Sequence, residues 1–238
     1  FLPALPSAPL DTATAAGLYS FAYDIGMAME VLVLATMKAW QPIFYDEYRT
    51  GNLEKIDRMV RTYAGYIYFA AVAIILFAAD VVRILVAKSY FAAVDLIPIV
   101  VLGYLFVFLY TVYFQYSAFR RKTGIISLAT AVAGVVNIGL NYWLIPLYGY
   151  QAAAYTTLAS FALLFLLHFL NARVVLGEPT VPLRTVMPGF LIVVAVTVGY
   201  LLVIHRLSSF PLFLLKTSTL ALVFAHFVLR AADSRSKV

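Results

Sequence analysis

The chain has no cysteine among its 238 residues. Disulfide scaffolds, thiolate metal sites and cysteine nucleophiles are therefore excluded. Charge is scarce as well: charged residues make up 12%, against a usual share of about 25%. The three histidines, His168, His205 and His226, lie on separate segments without H-x-x-x-H spacing, so no metal site is expected. No Gly-rich phosphate loop, G-x-S-x-G elbow or H-E-x-x-H motif occurs. Neither a catalytic residue nor a cofactor is expected, and the chain does not read as an enzyme. What it has in abundance is apolar surface. Hydrophobic residues make up 64% and mean hydropathy is +0.94. A soluble domain of this size has too little interior to hide so much, and disordered chains are poor in these residues. The net charge of +6 sits on few residues between long apolar runs. That suits ends facing anionic membrane lipid, and no nucleic-acid partner is expected.

Residues 1–16 hold Pro3, Pro6 and Pro9 and no basic residue. They lack the basic start of a secretory signal and read as a linker or a truncated start. Seven long apolar stretches follow, at 17–41, 61–86, 92–116, 123–146, 150–172, 184–206 and 209–230. Each approaches the ~20 residues that a helix needs to cross ~30 Å of hydrocarbon. Barrel strands would be ~10 residues long and alternate in polarity, which these do not. The expected fold is an all-α membrane protein, a bundle of about seven transmembrane helices over 17–230. Residues 231–238 form a cytoplasmic tail.

Lys and Arg distribute unevenly over the two ends of these spans. Arg49, Lys55, Arg58, Arg61, Arg120, Arg121, Lys122, Arg173, Arg184, Arg230, Arg235 and Lys237 gather at one side. Arg83, Lys88, Arg206 and Lys216 fall on the other, and Lys38 lies inside the first span near the basic side. Twelve against four predicts a cytoplasmic C-terminus, and seven crossings then put the N-terminus outside.

Few residues within the spans carry chemistry. Glu30 lies near the middle of the first span, where a charge costs about 2.5–3.5 kcal/mol on insertion scales. It reads either as a proton or cation site on a cavity, or as a buried acid held by a hydrogen bond or a neighbouring Lys. At about 100° per residue, Tyr23, Gly26, Met37 and Gln41 share its face. Asp24 lines the same cavity or reaches interfacial water. Lys38 snorkels toward the headgroups, or else meets a phosphate. Asp80 and Arg83 read as an interfacial i,i+3 pair. In the third span Tyr110, Tyr113 and Gln115 are candidates to line a sugar-tolerant cavity. Ala129, Ala133, Asn137 and Asn141 recur at i+4 steps. They and the Ala, Thr and Ser residues of 152–160 predict a tight helical hairpin through 147–151, with Pro146 ending its first helix. Asp46, Glu47, Glu54 and Asp57 read as a solvated loop.

Two stretches go beyond composition. Gly17 to Tyr23 reads GLYSFAY, and Ala39 to Pro42 reads AWQP. Arg121-Lys122-Thr123 is followed by Asn137, Asn141, Ile145-Pro146, Gly149, Ala153-Ala154, Thr157 and Ser160. Over about 17–160 this order and spacing resembles the polysaccharide (Wzx-type) flippases of the multidrug/oligosaccharidyl-lipid/polysaccharide exporter superfamily. Asp24 stands where many relatives carry Lys or Arg, and Ala152 where Gly is usual. The resemblance implies the second half of a two-bundle exporter fold in the cytoplasmic (inner) membrane. It also implies non-hydrolytic flipping of lipid-linked oligosaccharide, with Glu30 a candidate for ion coupling. The chain is then expected to be a fragment or one half of a split transporter, partnered by membrane lipid, its lipid-linked glycan and a missing N-terminal half. The rival readings are a cation or drug antiporter of the same superfamily, and a membrane enzyme or structural subunit of glycan-lipid assembly.

Overall fold

The computed structural model describes residues 12–204, 206 and 209–229. The expectations for 1–11, His205, Arg230 and 231–238 lie outside the described residues. The described chain is helical and contains no strand. Helices α1 (Thr12–Gly26), α2 (Ala28–Arg49) and α3 (Leu53–Leu85) come first. A 3₁₀ segment (Lys88–Leu96) leads into α4 (Ile97–Phe119). Then come α5 (Thr123–Tyr148), α6 (Ala152–Leu170) with a π turn (Asn171–Val175), α7 (Leu183–Val203) and α8 (Ser209–Phe224). Seven of the described helical spans are long and apolar enough to cross a membrane, α1 and α2 forming one of them.

Helix α4 is apolar on every side and must be surrounded to bury that surface. It is the axis of the bundle: 83% of its most apolar window is buried, against 11% for α5. Around it pack α2, α1, α3 and α6, while α7 leans mainly on α3. Helix α5 lies outside α6 and turns Leu128, Val135, Ile138 and Tyr142 outward. The core runs through Trp40 and Phe44 of α2, Tyr68 and Ile75 of α3, and Leu105, Leu109 and Tyr116 of α4.

The boundaries depart from the sequence expectation in physically clear ways. Helix α1 begins at Thr12, so 12–16 are helix and not linker. Pro42 does not end the first span; α2 continues through it to Arg49, because a proline deletes a single N–H from the ladder. The bend falls at Met27 instead. Hydrogen bonds continue across it, from Met27 N–H to the Tyr23 carbonyl and from Val31 N–H to the Met27 carbonyl. Helix α3 starts at Leu53, capped by Asn52, whose side chain accepts from Lys55 N–H. The expected basic and acidic loop is therefore mostly helix end, with Lys55 paired to Glu47 and Arg61 to Asp57. Pro98 sits in the first turn of α4 and marks the change from 3₁₀ to α geometry, a position proline tolerates well. Pro146 lies inside α5, which ends two residues later, where Gly149 takes φ +74°.

Candidate functional site

Four of the half-buried polar residues of α2, Glu30, Gln41, Tyr45 and Tyr48, fall on one stripe facing α4. Helical spacing puts them there: 30, 37, 41, 45 and 48 follow the 3–4 residue repeat of one face. Two of them are tied to α4 directly. Tyr104 donates its hydroxyl to the Glu30 carboxylate at 3.2 Å. The Gln41 amide donates to Gln115 Oε1 at 3.0 Å and to the Tyr45 hydroxyl at 3.0 Å. The ring of Tyr23 packs 5.8 Å from that of Tyr104, so α1 closes the upper end of this seam. Glu30 is thus hydrogen-bonded to α4, and it keeps part of its surface open.

Tyr110 is the residue of α4 that lies between α2 and α5. It is within electrostatic reach of Glu30, packs on Ala129 and Ala133 of α5, and stacks on His168 of α6 with ring centroids 5.4 Å apart. Tyr110 therefore sits, partly exposed, where α4 meets α5 and α6. Tyr113 is fully buried and donates to the Val181 carbonyl at 3.1 Å. Gln115 is fully buried beneath Gln41, with its Nε2 unpartnered. Both are enclosed within the bundle, where α4 is buried.

Asp24 and Lys38 are exposed. Neither belongs to the seam: Lys38 stands on the outward stripe of α2 with Val31, Leu34 and Ala35. Asn137 and Asn141 are half-buried on α5. Asn141 donates to Asn137 at 3.1 Å and accepts from the Thr156 hydroxyl of α6. Asn141 also lines an open cleft on α5 with Ile138, Tyr142 and Pro146.

Two polar clusters have no forewarning in the sequence. Glu178, in the connection after α6, is 4% exposed. Arg120 ion-pairs with it and Tyr48 donates to it. The Arg120 guanidinium holds the Glu178 carboxyl below its ordinary range, and Glu178 in turn raises Arg120. The partners stand 58 and 130 residues away in the chain, so no local pattern could announce them. Next to it, Tyr116 accepts from Val181 N–H at 3.0 Å, and Asp57 accepts from Thr185. The second cluster corrects the expected Asp80–Arg83 pair. Asp80 binds the ammonium of Lys216 at 2.6 Å instead. Lys216 lies in α8 with 2% of its side chain exposed.

No protein-family model, curated protein or solved structure matches the chain. The functional reading therefore rests on the residues themselves.

Proposed function

We propose that the chain is one bundle of a multi-pass inner-membrane transporter of the polysaccharide flippase kind. A second bundle would complete its substrate path. The observation that carries this reading is the set of ionisable side chains left open along α1 and α2. Asp24 and Lys38 are exposed and Glu30 is half-exposed, all within a span long and apolar enough to cross a membrane. Charges at membrane depth face protein or water, not acyl chains. Three of them in one span call for a covering bundle and a wet path between the two. Gln41, Tyr45 and Tyr110, each partly exposed, supply hydrogen-bonding and aromatic surface suited to a glycan headgroup. Glu30 supplies a group that can exchange a proton or cation. The distribution of Lys and Arg favours an outside N-terminus and a cytoplasmic C-terminus.

The test uses vesicles containing the protein, alone and with any co-purifying partner, and a fluorescent polyprenyl-pyrophosphate oligosaccharide. Headgroup crossing is read with a membrane-impermeant quencher. Crossing that loses its dependence on an imposed ion gradient in Glu30→Gln supports the reading. No crossing in any preparation overturns it. Binding of a lipophilic cation that requires both Asp24 and Glu30 would favour the antiporter reading, for which the two open carboxylates are the supporting feature.

A further inference from the structure

Away from the α2–α4 seam, a cleft of about 440 Å³ opens between α3, α7 and α8. Its walls are apolar, with Leu76, Gly199 and Leu212 among them, and three polar side chains, Tyr200, Lys216 and Thr219, also line it. Tyr200 is 4% exposed and its hydroxyl has no partner among the described residues. A buried phenol without an acceptor costs the bundle about 1–3 kcal/mol, so the group is unexplained unless something in the cleft accepts from it. The Lys216 ammonium lies 5.4 Å from the Tyr200 ring centroid and 5.9 Å from that of Phe77. One of its three protons goes to Asp80, and the other N–H groups remain as donors.

The polar lining is thus dominated by donors at the end of a greasy slot. Asp80 neutralises the charge, so the site does not select for a bare anion; it selects for acceptor oxygens joined to hydrocarbon. Its position agrees. Asp80 lies five residues before the end of α3, and Tyr200 three before the end of α7. At 1.5 Å per residue that is within about 8 Å of the helix ends, the depth of ester and phosphate groups in a bilayer. Ala195, Gly199 and Leu215 are exposed at its mouth, so the slot opens sideways on the bundle.

We propose that this cleft is a binding site for a glycerophospholipid of the bilayer. One acyl chain fills the slot, and ester or phosphate oxygens accept from Tyr200 and Lys216. The bound lipid is a constituent of the bilayer and not a transported substrate, so the inference does not depend on the transport reading.

The test places the full chain in phosphatidylcholine nanodiscs with a phosphatidylglycerol probe that carries a diazirine on one acyl chain. Labelling is mapped by mass spectrometry. A diazirine-bearing hexadecane, which has no acceptor oxygen, is the comparator. Gly199→Leu fills the slot and should be tolerated, because a Cβ there meets nothing within 4 Å and leucine is the better helix former. We expect phospholipid labelling to concentrate on α7 and α8, to exceed hexadecane labelling there, and to fall at least tenfold in Gly199→Leu. Tyr200→Phe, which loses one hydrogen bond, should lower it about fivefold. Equal labelling by the two probes, labelling unchanged by Gly199→Leu, or cross-linking of the cleft to a second copy of the chain overturns the proposal. Thermal unfolding of each variant in the same nanodiscs separates lost binding from lost fold.

Discussion

The Tyr104 hydroxyl, on the central helix α4, donates to the Glu30 carboxylate on α2 across 3.2 Å. A charged group in the middle of an apolar span is thereby given a partner from the one helix that every layer of the bundle packs around. Tyr104→Phe removes that donor and leaves the carboxylate unsatisfied. We expect a loss of about 1–2 kcal/mol in stability, since part of Glu30 is still open to other partners. Glu30→Gln keeps an acceptor oxygen for Tyr104 and should shift unfolding much less. Thermal unfolding in detergent compares the two; equal losses would mean that the hydrogen bond contributes nothing.

Glu178 joins α2, α4 and the connection that precedes α7. Its carboxyl titrates below the ordinary range because Arg120 holds it ionised. A depressed acid stabilises the fold above its unfolded pKa, about 4.3, and that contribution disappears as pH falls through the folded value. The wild type should therefore melt about 2–4 °C above Glu178→Gln at pH 7, the shift usual for such a contact in a chain of this size. The gap should close below about pH 4. A gap that stays constant from pH 7 to pH 3 would contradict this.

Asn141 accepts from the Thr156 hydroxyl between α5 and α6. Polar contacts between helices in membranes average about 0.6 kcal/mol. Thr156→Val keeps the shape and removes the donor, so a loss of that order is expected in a denaturant titration. Thr156→Ser should retain most of the stability. If Thr156→Ser costs as much as predicted for Thr156→Val while Thr156→Val costs nothing, the methyl group matters and the hydroxyl does not.

Glycines separate into two kinds. A Cβ on Gly26 would stand 2.4 Å from Val100 Cγ1 and 2.9 Å from its Cβ, where α1 crosses α4. Gly26→Ala should cost about 1–3 kcal/mol, because the helices must move apart. A Cβ on Gly134 meets nothing within 4 Å, so Gly134→Ala should be neutral or stabilising by up to about 1 kcal/mol. Melting temperatures of the two variants, measured side by side, check the contrast.

Much of the architecture is legible in the chain itself. Seven apolar runs of membrane-crossing length need no partner to be recognised, because each helix satisfies its own backbone and its length follows from its rise per residue. Glu30 and Gln41 can be put on one face of α2 from spacing alone, and the i+4 ladder from Ala129 to Asn141 marks the side of α5 that meets α6. Local pattern reads ends less well. Pro42 and Pro146 look like stops, yet each removes only one N–H bond and the helix runs on. The partners of Asp80 were misread for a related reason: Arg83 is near in sequence, but Lys216 arrives from α8 and is enclosed by the Phe77 and Tyr200 rings.

The chain by itself therefore determined which segments are helices and which few residues in them are polar. Only the tertiary structure decided that α4 is enclosed, that Tyr113 and Gln115 are buried while Tyr110 stays partly exposed, and that Glu178 and Lys216 are buried with partners. Helix formation depends on bonds between residues four apart, which a local window contains. Enclosure and long-range pairing depend on which faces meet, and those contacts join residues separated by 58 to 136 positions.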